Sequence, residues 1–183
     1  MTPATIDELA ARSAIAAVHC LYTHAIDRRR WDLLPRIFHP DATIHFGRID
    51  GDWHHFADHA RRLLAPIGAT HHQLGNQLIL VDGDGARSEC YVTAYHLIPV
   101  TTPRDHSLPG RDAPYSVTIG ARYLDRFERR GGQWRIAERH GLYEWRSEAT
   151  FDDGGLSQGP VEWRGAWGDA DPSAALIGML PPA

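Results

Sequence analysis

The chain has 183 residues, 43% hydrophobic and 23% charged, with a net charge of −4, and its 19 basic residues are all arginine. That composition fits one soluble globular domain, and the scattered arginines on a net acidic chain exclude nucleic acid and anionic membrane as partners. The absence of lysine excludes Schiff-base chemistry, and Cys20 and Cys90 alone supply neither a disulfide framework nor a thiolate zinc site.

The N-terminus carries no basic region followed by an apolar stretch, and no apolar run approaches the roughly 18 residues of a membrane helix, so a cytoplasmic location is expected. Ile6, Leu9, Ala10, Ile15, Val18, Leu21, Tyr22 and Ile26 recur at helical spacing. Thr5 with Glu8 forms a capping box, which predicts a long helix from Thr5 to Arg28. A shorter helix is expected over Trp31 to Phe38, ended by Pro40, then a strand over Ala42 to Phe46 and a helix over Trp53 to Leu64. Strand-like segments follow at 69–81, 86–99, 115–129 and 133–146. Gly83-Asp84-Gly85 and Gly131-Gly132 mark hairpin turns between neighbours. The prolines between Thr101 and Pro114 predict a mobile loop that could form a rim or lid. Beyond Thr150 the chain turns rich in Gly and Pro until a short helix over Ser173 to Leu180. Helices first and meandering strands after them indicate an α+β fold.

The residues suited to chemistry concentrate on three of these elements. Asp27 ends the first helix, where a carboxylate opposes the macrodipole by about 0.3–1 kcal/mol and needs a compensating partner. Arg28, Arg29 and Arg30 follow directly and are one source; a histidine is the other. Tyr22 sits about 140° around the helix from Asp27, so the two can flank one pocket without touching. In the first long strand, alternation groups His72 with Leu74, Asn76, Leu78 and Leu80, and His71 with Gln73, Gly75 and Gln77. The first set is the more apolar, so His72 is expected to point inward. Cys90, Val92, Ala94 and His96 share a face of small residues in the next strand, which leaves volume for a ligand. Strict alternation puts Arg139 on the face opposite Trp134 and Ile136 unless a bulge intervenes. His55 and His59 have helical metal-ligand spacing but no third ligand, and Arg61 and Arg62 would repel a cation, so no metal is expected. A Gly-rich phosphate loop opening a helix and a nucleophile elbow are both absent, and no cofactor is expected.

Leu21-Tyr22-Thr23-His24-Ala25-Ile26-Asp27, Trp31 and Phe38-His39-Pro40-Asp41-Ala42 together resemble the opening of SnoaL-like proteins. These belong to the nuclear transport factor 2-like superfamily, with scytalone dehydratase, the bile-acid 7α-dehydratases and hexachlorocyclohexane dehydrochlorinase. Thr70-His71-His72-Gln73-Leu74-Gly75-Asn76 with Val81-Asp82-Gly83-Asp84-Gly85-Ala86, and Arg122-Tyr123-Leu124-Asp125-Arg126-Phe127 through Trp134 to Arg139, are similar to that family's later blocks. The resemblance implies a cone-shaped NTF2-like, cystatin-like α+β barrel, with N-terminal helices packed in a curved, mixed and mainly antiparallel sheet. The domain would span 1–149, and the extension 150–183 would pack on it or on a neighbouring subunit.

The same resemblance implies a cofactor-independent lyase that eliminates water or another β-leaving group from a small hydrophobic hydroxylated substrate, polycyclic, aromatic or steroid-like. His72 would take the proton, Asp27 would fix its tautomer, and Tyr22 and Arg139 would assist the leaving group. His96 is similar to the second active-site histidine of scytalone dehydratase. With Asn76, Cys90 and Tyr123 it makes up the expected substrate contacts. A homotrimer is implied, with a dimer as the alternative. An isomerase or polyketide cyclase could use the same dyad. A noncatalytic partner subunit, similar to the β subunits of ring-hydroxylating dioxygenases, predicts instead that Asp27 and His72 do not meet.

Overall fold

The computed structural model describes residues 4–155 and 158–180. Helix α1 (Ile6–Asp27) begins where the Thr5 hydroxyl accepts from the Glu8 amide at 3.2 Å and has Ile15, His19, Tyr22 and Ile26 on its buried side. It stops because Arg29 takes a left-handed conformation, φ 58°. The Arg30 and Arg29 amides then donate back to the Ala25 and Ile26 carbonyls, which closes the last turn with arginine where glycine is usual. A left-handed arginine costs about 1–2 kcal/mol. The cost is offset by its guanidinium, which donates to the Ile26 and Leu64 carbonyls and to the Thr70 hydroxyl. The cap thereby ties the end of α1 to the start of the third strand.

A single 3₁₀ turn (Trp31–Leu33) and the short helix α2 (Leu34–Ile37) replace the continuous helix expected over 31–38. Strand β1 (Phe38–Phe46) starts earlier than expected and runs through Pro40, which lies exposed at an irregularity in its pairing. Strand β2 (Ile49–Asp52) returns from it in a hairpin whose acidic, glycine-containing sequence carries no strand signal. Helix α3 (Trp53–Leu64) buries Trp53, Phe56, Ala57, Ala60 and Leu64 along one side, as the periodicity predicts.

Strands β3 (Thr70–Asp82), β4 (Gly85–Ile98), β5 (Tyr115–Arg130) and β6 (Gln133–Thr150) complete a six-stranded sheet in the order β2-β1-β6-β5-β4-β3. Only β1 and β6 pair in parallel; all other neighbours are antiparallel. Gly131 and Gly132 both have positive φ, 58° and 79°, the conformation a two-residue hairpin needs. The sheet is curved and unclosed, and the helices fill its inner face, the α+β arrangement expected. Ile15, Leu34, Ile37, Phe38, Ile44, Phe127 and Ile136 are fully buried there, each worth about 1.5–3 kcal/mol of transfer.

Two bulges decide which side chains reach that inner face. In β3 the register slips between Leu74 and Gln77. His72 and Leu74 face inward as predicted, but beyond the slip Ile79 and Val81 turn in, and Leu78 and Leu80 turn out to solvent. The apolar row once grouped with His72 is therefore split. In β6 the register slips between the pairs Arg126–Glu138 and Phe127–Ile136, leaving Ala137 as the extra residue. That bulge swings Arg139 to the inside, where it is 1% exposed.

The 99–114 connection, which contains the expected loop, makes specific contacts with its surroundings. The Thr102 hydroxyl donates to the Pro66 carbonyl, the Tyr115 hydroxyl donates to the Pro109 carbonyl, and Leu108 is buried. After β6 the chain runs back across the C-terminal end of α1, where the Gly168 amide donates to the Arg28 carbonyl. Helix α4 (Ala174–Ile177) is the last helix among the described residues. No helix among the described residues is long and apolar enough to cross a membrane.

The loop supplies a test of this packing. A Cβ at Gly110 would lie 1.8 Å from the Thr102 carbonyl oxygen, a backbone atom that cannot swing aside. Gly110→Ala should lower unfolding free energy by about 1–3 kcal/mol in urea titration, the scale of forced overpacking. Unchanged stability would mean that the loop does not hold this conformation.

Candidate active site

Asp27 and His72 meet where α1 ends and β3 begins. The His72 imidazole Nδ1 lies 2.7 Å from Asp27 Oδ1, and the His72 backbone amide donates to Asp27 Oδ2 at 2.8 Å. Both side chains are 10% exposed, buried enough to strengthen the bond and open enough to exchange a proton. Burial pushes the Asp27 carboxyl up, but the His72 side-chain and backbone bonds, with the Thr70 hydroxyl, outweigh it and hold the acid below its ordinary range. The three arginines after Asp27 make their hydrogen bonds elsewhere: Arg28 to the Ala166 carbonyl, Arg29 to Thr70, Arg30 to Asp32. The partner that offsets the helix dipole is the histidine.

His96 stands edge-on to His72, ring centroids 5.5 Å apart. Burial, reinforced by the charge of His72, lowers the His96 imidazole to about 4, so it is neutral near pH 7. Its Nδ1 is a buried polar atom with no hydrogen-bond partner within the protein.

A second polar cluster lies farther back along α1. Arg139 makes a two-pronged pair with Asp125, Nε to Oδ1 at 2.8 Å and Nη2 to Oδ2 at 2.7 Å, with both side chains essentially inaccessible. Burial alone would lower the guanidinium pKa, but Asp125 more than reverses that. Its carbon sits 4.1 Å from the Tyr22 ring centroid and 4.2 Å from that of Tyr123, a cation between two aromatic faces. His19 approaches the pair and bonds the Ser88 hydroxyl at 3.1 Å. Burial raises the Tyr22 phenol pKa, opposed by Arg139, so its hydroxyl remains a proton donor. The Nη1 of Arg139 has no partner within the protein.

The eight side chains singled out in the sequence thus divide. Asp27, His72 and His96 form one group, and Tyr22, Tyr123 and Arg139 another. Cys90 faces inward on β4, its thiol pushed up to about 11 by burial, which makes it an apolar wall rather than a nucleophile. Asn76 lies exposed at the β3 bulge, outside both groups. Asp125, His19 and Ser88 were not foreseen. Their signals exist: Asp125 alternates with buried Tyr123 and Phe127, and His19 follows Ile15 at helical spacing. A groove of about 340 Å³ lies on the opposite, outer face of the sheet and does not reach the dyad.

Residues 7–140, most of the chain, match the SnoaL-like domain. The chain belongs to that family. An uncharacterized protein of Mycobacterium tuberculosis is 32% identical over 138 residues, 74% of this chain and 86% of the relative. Among solved structures, a type 2 hexachlorocyclohexane dehydrochlorinase superposes with TM-score 0.66 at 23% identity, covering 82% of this chain and 98% of the other. A protein of Novosphingobium aromaticivorans described provisionally as a scytalone dehydratase gives TM-score 0.63 at 16% identity, with coverage of 79% and 91%. At these identities the structural likenesses show the fold, a frame shared by lyases and other proteins.

The buried histidines make one property measurable. His19 and His96 are both held near 4, below their ordinary 6.5, chiefly by burial. As pH falls below 6.5 the unfolded chain binds protons at these positions that the native chain refuses, so their contribution to stability is lost between 6.5 and about 4. The melting temperature should fall through that window, and His96→Gln should show a smaller fall than the parent. Equal falls would place the acid lability elsewhere.

Proposed function

We propose that the protein is a cofactor-independent lyase that removes a proton and a β-leaving group, water in the first instance, from a hydrophobic hydroxylated substrate. One observation carries the reading: Asp27 binds both the ring Nδ1 and the backbone amide of His72, which places the Nδ1 proton on the carboxylate side. The ring's Nε2 is then the free base. The carboxylate below its ordinary range stays ionised and stabilises the imidazolium as His72 takes the proton. Neutral His96 adds no competing charge and offers a polar contact to a substrate carbonyl or hydroxyl, which would acidify the abstracted proton.

The leaving group would be met by the Tyr22 hydroxyl. Tyr22 and Asp27 are separated by about 7.5 Å along the helix axis, a gap that a tyrosine side chain and one substrate ring can close. Arg139 has its charge balanced by Asp125, so it serves less as a free anion receptor than as the support that fixes Tyr22 and Tyr123. Its unpartnered Nη1 is the one donor it has left for a departing oxygen. Val92, Ala94, Val117 and Ala121 face inward around these groups, which favours an apolar substrate. A noncatalytic module has no use for an acid oriented on an imidazole in this way, and the contact between them argues against that reading.

Screening hydroxylated polycyclic and steroid-like alcohols for a new conjugated absorbance tests the proposal directly, and product analysis separates elimination from isomerisation or cyclisation. On a substrate so found, His72→Ala and Asp27→Asn should each lower kcat by about 10² or more with the fold intact, the scale of a lost general base or its orienting partner. Tyr22→Phe should cost less, because water can replace a leaving-group donor. Near-normal turnover in Asp27→Asn would show that His72 works with another acid.

A further inference from the structure

The outer face of the sheet carries a second concentration of ionisable side chains that the proposed elimination does not use. Asp50, His45 and His140 stand in register on β2, β1 and β6, each directly opposite the next, and Glu138 precedes His140 on the same face of β6. One ligand atom from each of His45, Glu138 and His140 comes within 4.8 Å of the others, the group of three such side chains that converges in this way among the described residues. The two imidazoles stack at 4.5 Å, and His140 Nε2 lies 2.9 Å from Glu138 Oε1.

We propose that His45, Glu138 and His140 form a binding site for one divalent first-row transition cation, with zinc the best fit among common ions. Two imidazoles and a carboxylate are the donor set such ions favour, and half-exposed side chains leave solvent positions to complete the shell. The surrounding contacts are those a metal site requires. His45 directs Nδ1 to the Asp50 carboxylate, leaving Nε2 for the ion, and a ligating histidine nearly always donates its other nitrogen to such an acceptor. Glu138 is steadied in turn by Arg126, whose Nε donates to Oε2 at 3.1 Å, so that Oε1, beside His140 Nε2, is the oxygen turned to the ion. Arg126 is the cation facing the site, and its charge is shared with Glu128 as well as Glu138.

The ion would act as a clip. It would join the β1–β2 hairpin to β6 across the one parallel pairing, beside the β1–β6 register irregularity. Ile44 and Arg139, the neighbours of His45 and His140 on the opposite face, are themselves paired. The clip would therefore fix the backbone that presents Arg139 to the interior, without touching any reacting group.

Calorimetric titration of the tag-free, chelator-stripped full chain with zinc chloride tests the site. About one zinc per chain should bind. His140→Ala and His45→Ala should each weaken binding at least tenfold, Asp50→Asn should weaken it by about 10–100-fold as a supporting ligand does, and the His55→Ala/His59→Ala double variant should bind as the parent. His140 and His45 are partly exposed, so their substitution leaves the core intact; an unchanged circular dichroism spectrum verifies this. No saturable binding, binding that survives His140→Ala, or binding lost only in the His55/His59 variant would each overturn the proposal. Because the readout is zinc affinity, failure here leaves the elimination reading untouched, and failure of that reading leaves this site standing.

Discussion

The grip of one carboxylate on one histidine residue organises this molecule. Asp27 takes two hydrogen bonds from His72, one from the backbone and one from the ring, so the end of α1 and the start of β3 are joined in the same act that orients the imidazole. The helix must therefore stop at that point, and a left-handed Arg29 makes it stop, held by Thr70 on the strand and by the Leu64 carbonyl at the end of α3. Local backbone strain at Arg29 is thus spent on the position of Asp27. The C-terminal segment reinforces the junction: Asp171, lowered to about 2 by the Ser173 hydroxyl and the Ala166 amide, pairs with Arg28, and Trp167 lies over Arg29.

Periodicity and turn chemistry made most of the fold legible. Capping by Thr5, the apolar stripe of α3, and the paired glycines at 131–132 each have a local cause, and local causes are visible in a sequence. The dyad was legible for a related reason: an acid set against the helix dipole needs a partner, and an inward histidine on the next strand is one. What strict alternation could not reveal was where it breaks. A bulge adds one residue without changing composition, so nothing in Gln73-Leu74-Gly75-Asn76-Gln77 or Ile136-Ala137-Glu138 marks the slip by itself. Each slip inverts the side chains that follow it, as far as the next irregularity. That is why Leu78 and Leu80 face solvent, and why Arg139, which alternation would send outward, lies wholly inside.

Asp125 was obscured by its neighbours. In a run of arginines and glutamates it reads as one more solvated charge, yet its own face of β5 belongs to Tyr123 and Phe127, and a carboxylate carried inside must find a cation. Arg139 is that cation only because the β6 bulge turns it inward. The two residues are each unintelligible alone, and neither could be buried without the other. The same interdependence explains β2: a four-residue strand of acid and glycine has no propensity of its own and forms because β1 offers it an edge.

The two inner clusters differ in the one respect that matters for proton chemistry. Around Arg139 every charge is compensated and buried: Asp125 takes two bonds from the guanidinium, His19 is held neutral, and Tyr22 and Tyr123 have their phenols pushed upward by burial. Such a group can orient dipoles and present a hydroxyl to a leaving group, but protonating any member would unbalance a buried charge. The dyad has the opposite character. His72 and Asp27 keep part of their surface open, and the ring has one nitrogen committed and one uncommitted. A base must be reloaded after each turnover, which requires access as well as orientation. Of the two clusters, only the dyad combines both, which is why the proposed elimination takes its proton at His72 and leaves the Arg139 network the part of a frame that holds Tyr22.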